Sequence, residues 1–166
     1  MGRDYEYICK NCGKKYTFTF GIGYFYPLDY DKTVEAIKNG DYGQEWQQLS
    51  QTKDPFLVDI ENRLYICNDC GNLQDETCLD IYELNDKADK ENIKEPYDIM
   101  FSHFIERWAE EEEEDDEGCH LFKRYPHKCN RCNSTSIHQA TEQELEELPC
   151  PNCGTLNEYE AAIDWD

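Results

Sequence analysis

Eight of the ten cysteines in this 166-residue chain occur in four C-x-x-C pairs, and these pairs have the spacing of metal ligands. A tight turn after the first thiolate aims backbone N–H groups at its sulfur and brings the second cysteine to the same ion. Two such turns supply the four tetrahedral ligands of a closed site. We call them knuckles 1 to 4, and each ends in a small or turn-forming residue: Cys9–Gly13, Cys67–Gly71, Cys129–Asn133 and Cys150–Gly154.

The order of the knuckles along the chain predicts how they pair. Seventeen residues separate Cys132 from Cys150, within the usual range for two C-x-x-C pairs that share one zinc ion. The other predicted site combines knuckles 1 and 2, although 54 residues separate Cys12 from Cys67. It is supported by a near repeat in the sequence, since YICKNCG at 7–13 is similar to YICNDCG at 65–71. The alternative is that the four knuckles combine into two sites in a different pairing. The predicted sites are therefore Cys129, Cys132, Cys150 and Cys153, and Cys9, Cys12, Cys67 and Cys70.

The knuckles resemble those of the zinc-ribbon and rubredoxin-like families. Residues 150–154, CPNCG, are similar to the C-P-x-C-G knuckle of these families, and residues 7–13 are similar to the first rubredoxin knuckle. The resemblance implies a ribbon fold and a bound metal. It implies no specific activity, because such ribbons occur in transcription, in translation and in many bacterial proteins of unassigned role. The long 13–66 insertion departs from a simple ribbon.

Two Zn²⁺ ions per chain are the expected cofactors. Four thiolates fill the zinc coordination shell and leave no position for a substrate water, which indicates structural metals. Tetrahedral sulfur ligation also suits iron, so iron is not excluded. Thiol redox chemistry is a rival, but it normally uses one C-x-x-C between a strand and a helix. Cys78 and Cys119 are expected to be half-buried thiols outside the sites.

Hydrophobic periodicity predicts the elements that position the first two knuckles. Residues 16–26 alternate as a long strand with an aromatic face, which Pro27 ends. Two helices should follow, and they form an insertion at about 30–53. Asp31 caps the first helix, which ends before Gly40, and the second covers about 44–52. Strands are predicted at 63–67 and 77–84 on either side of knuckle 2.

The second half of the chain is more ambiguous. Residues 97–108 fit a strand or a helix, and we favour a strand because 119–127 can pair with it. The eight acids of 110–117 would then form a hairpin tip, whereas a helix would make them a linker. A strand at 136–139, a helical turn capped by Thr141 and a C-terminal edge strand complete the second ribbon.

Together these elements predict an α+β fold that is mostly β. It consists of two zinc-ribbon-like modules with the small helical insertion in the first. The predicted boundaries are 1–109 for the first module, 110–117 for the acidic tip or linker, and 118–166 for the second ribbon.

The charge of the chain limits its partners. With 37 acidic and 16 basic side chains, the net charge is −21, which repels nucleic acid and anionic membranes at long range. We find no secretory signal and no apolar run of membrane-spanning length, so a cytoplasmic location is expected. The run of eight acids would suit a protein partner with a basic surface.

Motifs of common catalytic sites are missing from the sequence, among them H-E-x-x-H, the P-loop and G-x-S-x-G. The leading hypothesis is therefore a non-enzymatic, zinc-binding protein that binds or regulates a protein partner. The alternative is a nucleic-acid-binding ribbon that acts through the basic and aromatic segment 120–131, a reading that singles out Lys123, Arg124, Lys128 and Arg131. Thiol redox or iron–thiolate electron transfer is the third hypothesis.

Overall fold

The computed structural model describes residues 2–23, 25–85, 95–108, 118–158 and 161–165. The fold is α+β with more strand than helix, as predicted. The elements in chain order are β1 Gly2–Ile8, β2 Lys15–Gly21, α1 Tyr26–Asn39, α2 Gln44–Thr52, β3 Leu57–Val58, β4 Asn62–Cys67, β5 Leu73–Thr77, β6 Ile81–Leu84, α3 Pro96–Trp108, β7 Cys119–Lys123, β8 Ile137–Gln139, α4 Glu142–Glu146, β9 Glu147–Pro149, β10 Leu156–Glu158 and β11 Ala161–Trp165.

The chain forms two compact units, and each is assembled from separate segments. Unit 1 contains Met1–Tyr24, Glu61–Cys78 and Pro126–Asp166, and unit 2 contains Phe25–Ile60 and Leu79–Tyr125. These units differ from the predicted modules 1–109 and 118–166, because each unit combines segments from both sides of 110–117. The acidic run itself lies outside the described residues, so its role as a tip or a linker stays a prediction. All four knuckles belong to unit 1.

Unit 1 is built around two antiparallel hairpins whose turns are knuckles 1 and 2. Strand β1 pairs with β2, and β4 pairs with β5. Strands β2 and β4 meet only at Gly21 and Asn62, where the first hairpin ends and the second begins. Because β1 and β4 are both antiparallel to β2, they run in the same direction, and knuckles 1 and 2 lie at the same end of the sheet.

The segment between knuckles 3 and 4 packs onto both hairpins. Strand β8 pairs with β4 from Tyr65 to Cys67, and the N–H of Ala140 donates to the carbonyl oxygen of Leu64 at 2.9 Å. Strand β11 is an edge strand as predicted, but it pairs along β1 of the first hairpin rather than within the predicted second ribbon. The buried core that joins these elements consists of Tyr7, Phe18, Leu64, Leu73, Ala140 and Leu148.

Helix α4 begins as its sequence predicts. The Thr141 hydroxyl accepts a hydrogen bond from the Glu144 N–H, and the Glu144 carboxylate accepts one from the Thr141 N–H. This reciprocal capping box satisfies two backbone donors at the start of a very short helix.

Unit 2 places three helices beside the three-stranded sheet β3–β6–β7. Trp46 of α2 is 1% exposed, and its indole N–H donates to the carbonyl oxygen of Leu79 at 2.8 Å. Helix α2 covers the predicted residues. None of the helices in the described parts of the chain is long and apolar enough to cross a membrane.

Several predicted elements differ from those observed. The predicted strand at 77–84 is not continuous, since β5 ends at Thr77 and β6 begins at Ile81. The aromatic strand ends at Gly21, and α1 already begins at Tyr26, because Pro27 suits the first turn of a helix. The predicted strand at 97–108 is wrong: these residues lie in α3. Among the side chains of α3 that the structure describes, Met100 and Phe104, four residues apart, are buried, whereas Phe101 is 40% exposed. Strand β7 pairs with β6 instead.

Candidate metal centres

Eight cysteines form two clusters in unit 1. In each cluster, the four sulfur atoms lie within 4.8 Å of one another. Knuckles 1 and 4 form the outer site, which contains Cys9, Cys12, Cys150 and Cys153, and knuckles 2 and 3 form the inner site, which contains Cys67, Cys70, Cys129 and Cys132.

The sulfur spacings fit tetrahedral metal coordination. In the outer site, the sulfur of Cys9 lies 3.5 Å from that of Cys153, and the sulfur of Cys12 lies 3.7 Å from that of Cys150. In the inner site, the Cys67–Cys132 and Cys70–Cys129 distances are both 3.6 Å. A tetrahedron with metal–sulfur bonds of about 2.3 Å has edges of about 3.8 Å, whereas a disulfide bond is about 2.05 Å long. The cysteines of each cluster are therefore spaced to coordinate one metal ion through four thiolates.

The four knuckles share one backbone conformation. In each, the N–H of the fifth residue donates to the carbonyl oxygen of the first cysteine, at 2.7–2.9 Å. The N–H of that cysteine in turn donates to the carbonyl oxygen of the sixth residue, at 2.8–2.9 Å. The fifth residue is left-handed in every knuckle, with φ of +68° at Gly13, +65° at Gly71, +59° at Asn133 and +72° at Gly154.

Hydrogen bonds to sulfur favour the thiolate form that binds metal. At Cys129, burial raises the pKa, but the N–H groups of Cys132 and Arg131 outweigh it and lower the pKa to about 6. At Cys153, the hydroxyl and N–H of Thr155, together with the Asn11 amide, lower the pKa to about 6. Each site thus contains at least one cysteine that ionises more readily than an ordinary thiol.

The first cysteine of every knuckle is buried, and the second is more accessible. Cys9, Cys67, Cys129 and Cys150 are at most 2% exposed. Cys12, Cys132 and Cys153 are exposed, and Cys70 is intermediate. Each site is therefore anchored in the core on one side and reaches the surface on the other.

The sequence identifies the eight clustered cysteines, but its predicted pairing is wrong. It groups knuckle 3 with knuckle 4, and knuckle 1 with knuckle 2, whereas the structure nests one pair inside the other. The reason lies in the sheet. Strand β8 pairs with β4 and brings knuckle 3 to knuckle 2, and residues 140–149 then cross to the first hairpin and bring knuckle 4 to knuckle 1.

The near repeat of residues 7–13 at 65–71 does not decide the pairing. Two C-x-x-C knuckles of the same kind are able to supply the four ligands of one ion. The structure places these two knuckles in different sites.

The remaining candidate residues lie outside both clusters. Cys78 and Cys119 are 0% and 1% exposed, so they are more deeply buried than predicted. Of the four basic residues predicted to bind nucleic acid, Lys123 and Arg124 lie in unit 2, and Lys128 and Arg131 lie in unit 1. Lys123 forms an ion pair with Glu45 and lies 5.9 Å from the Trp46 ring centroid.

Comparison with known proteins assigns no relative. No family model matches the chain, and no curated protein or solved structure is significantly similar to it.

Proposed function

We propose that this protein is a zinc-stabilised, non-enzymatic binding or regulatory protein with two structural Cys₄ sites. The observation that carries the proposal is the arrangement of four sulfur atoms at tetrahedral spacing in both clusters. A closed thiolate shell supplies folding free energy rather than a reactive metal-bound water. Zinc is the proposed metal, and the reducing conditions of the cytoplasm would keep its ligands as thiols.

The small size of the elements in unit 1 supports a structural role for the metals. Strands β8, β9 and β10 have three residues each, and α4 has five. Isolated hairpins of this size are marginally stable in water. Ions that join the knuckles would hold these short elements in place.

Elemental analysis of protein purified without added metal tests the proposal. We expect two zinc ions per chain, and we expect a strong chelator to abolish cooperative unfolding of unit 1. Cys12→Ser and Cys132→Ser should each reduce the zinc content, whereas Cys119→Ser, outside both sites, should retain two ions. A wild-type protein that is folded without metal would refute the proposal. Iron with an iron–thiolate visible spectrum would instead support the electron-transfer hypothesis.

The charge of both units supports a basic protein partner. By sequence, unit 1 contains 14 acidic and 7 basic residues, and unit 2 contains 23 and 9. A partner with a basic surface gains favourable long-range attraction from this field. Replacement of the acids in 110–117 by Gln and Asn should weaken the complex and reduce its dependence on salt. Unchanged affinity would count against this surface.

Nucleic-acid binding is the second candidate. On β7, Leu121 and Phe122 are 38% and 43% exposed next to Lys123, which combines apolar and basic groups at the surface. Two contacts weaken this candidate: the Lys123–Glu45 ion pair, and Lys53, whose Nζ lies 3.7 Å from the Phe122 ring centroid. Binding of a single-stranded oligonucleotide by the full chain at low salt, lost in Arg124→Gln, would support it.

A further inference from the structure

The strands that follow knuckles 1 and 2 present different chemistry at matching positions. Counted from the first cysteine of each knuckle, positions +7 and +9 are Tyr16 and Phe18 on β2. On β5, the same positions are Gln74 and Glu76. Alternate residues of a strand share one face, so β2 presents an aromatic face and β5 a polar one.

Gln74 holds the backbone on both sides of Cys129. Its side-chain N–H donates to the carbonyl oxygen of Lys128 at 2.9 Å, and its side-chain oxygen accepts from the N–H of Asn130 at 2.8 Å. The amide also donates to Glu76 at 3.0 Å and accepts from Asn72 at 3.5 Å. All four hydrogen-bonding positions of this 4% exposed side chain are therefore used.

The neighbours of Gln74 on the same face contact the same segment. The Glu76 carboxylate lies 2.9 Å from Nδ1 of His127, whose Nε2 lies 2.8 Å from the carbonyl oxygen of Cys78. The Asn72 amide donates to the Asn130 side-chain oxygen at 2.8 Å. Asn72 and the polar face of β5 thus bind the segment from His127 to Asn130, which leads into knuckle 3.

Knuckle 4 lacks several of the groups that form these bonds. Pro151 occupies the position that corresponds to Asn130, and proline has no N–H to donate to Gln74. Leu148 occupies the position of His127 and offers no polar atom to Glu76. Leu148 is instead fully buried in the core that contains Tyr7 and Phe18, on the aromatic side of unit 1.

We infer that Gln74 is a specificity-determining residue that selects knuckle 3, rather than knuckle 4, as the partner of knuckle 2. The inference rests on the proposed metal binding and deepens it, because it names what decides which cysteines share an ion. The four knuckles have the same backbone conformation, so their flanking residues must distinguish them. With knuckle 4 in its place, the buried Gln74 amide would lose a donor, which is a cost that disfavours the wrong pairing.

Cadmium-113 NMR of the full chain tests the inference, because it shows which cysteine β-protons couple to one ion. The variants are Gln74→Leu and Asn130→Pro. The second is compatible with the knuckle conformation, since Pro151 occupies the same position in knuckle 4. Asn133→Gly, which changes knuckle 3 without touching Gln74, is the matched control. Inner-site affinity is measured in parallel by chelator competition.

We expect Gln74→Leu and Asn130→Pro each to lower cadmium affinity at the inner site about tenfold or more, because each variant removes more than one of the hydrogen bonds that hold knuckle 3. Asn133→Gly should match the wild type. At saturating cadmium, unchanged outer-site correlations show that the variants fold, and correlations that join knuckles 2 and 4 through one ion would add support.

If both variants keep the wild-type pairing and bind cadmium with affinities within twofold of the wild type, the inference about Gln74 is overturned, whereas the proposed function is not. Loss of both sites in both variants would also overturn the inference, because Gln74 would then be a general stabiliser. A wild-type protein that binds no cadmium would overturn the proposed function as well.

Discussion

The hydroxyl group of Tyr7 donates a hydrogen bond of 2.6 Å to the backbone carbonyl oxygen of Leu145. Tyr7 lies two residues before Cys9 on β1, and Leu145 lies in the segment between knuckles 3 and 4. The bond therefore attaches the first hairpin to the segment that carries knuckle 4. Tyr7 is fully buried and stacks on Tyr16 with ring centroids 5.3 Å apart, so its hydroxyl is held in place.

We predict that Tyr7→Phe destabilises unit 1 by about 1 kcal/mol, since it leaves a carbonyl group near the core without this donor. Chemical denaturation of the metal-loaded protein measures the change in the free energy of unfolding. Tyr42→Phe is the control, because the ring of Tyr42, rather than its hydroxyl, contacts Tyr125. Equal stability of the two variants would show that the bond contributes nothing.

The two metal sites should bind their ions cooperatively. Residues 133–149 connect knuckle 3 of the inner site to knuckle 4 of the outer site, and they contact β4 and β1 on the way. An ion in the inner site fixes one end of this segment. It therefore reduces the conformational entropy that the segment loses when an ion binds at the outer site.

Cobalt titrations followed by thiolate absorption test this coupling. Cys67→Ser with Cys70→Ser should lower cobalt affinity at the outer site by roughly 5-fold or more, and Cys12→Ser with Cys153→Ser should lower it at the inner site by the same factor. The equality follows from thermodynamic reciprocity. If each site binds cobalt with wild-type affinity after the other is removed, the segment does not couple them.

The sequence predicts the local parts of this fold well, since they depend on local chemistry. The C-x-x-C spacing identifies all eight clustered cysteines, and the Thr141–Glu144 pattern identifies the start of α4. Helix α2 is also predicted, because Trp46 and Leu49 lie at helical spacing in a short stretch that Pro55 ends.

The pairing of the sites and the identity of α3 depend on contacts that are distant in sequence. The sulfur atoms of Cys67 and Cys132 are 3.6 Å apart in a structure where β8 pairs with β4 and Gln74 holds the backbone beside Cys129. Residues 97–108 carry both an alternating and a helical pattern, and packing of Met100 and Phe104 decides between them. No local signal could have made either choice.

Asn133 is the knuckle residue with the clearest conformational test. Its φ of +59° is left-handed, and at this position the other three knuckles have glycine. Asn133→Ala should destabilise the inner site by about 1 kcal/mol, because a side chain without asparagine's local hydrogen bonding tolerates this conformation poorly. Asn133→Gly should be nearly neutral. Thermal unfolding with saturating zinc measures both, and the reverse order would refute the conformational explanation.

Glu144 should give the stability of unit 1 a component that depends on pH. The Thr141 N–H, followed by the His138 side chain, lowers the pKa of the Glu144 carboxyl below its ordinary value. A lowered pKa in the folded state means that this stabilisation is complete above the ordinary carboxyl pKa. It is lost as the pH falls through the lowered pKa, where the folded carboxylate becomes protonated.

Glu144→Gln removes this titration, so we expect the variant to be less stable than the wild type at neutral pH. The difference should shrink as the solution is acidified below pH of about 4. Glu146→Gln, an exposed change on the same helix, is the matched control and should leave the profile unchanged. Because acid also protonates the metal-binding thiolates, the comparison uses difference profiles between each variant and the wild type at equal zinc concentration. A difference that stays constant across this range would show that Glu144 stabilises α4 without its charge.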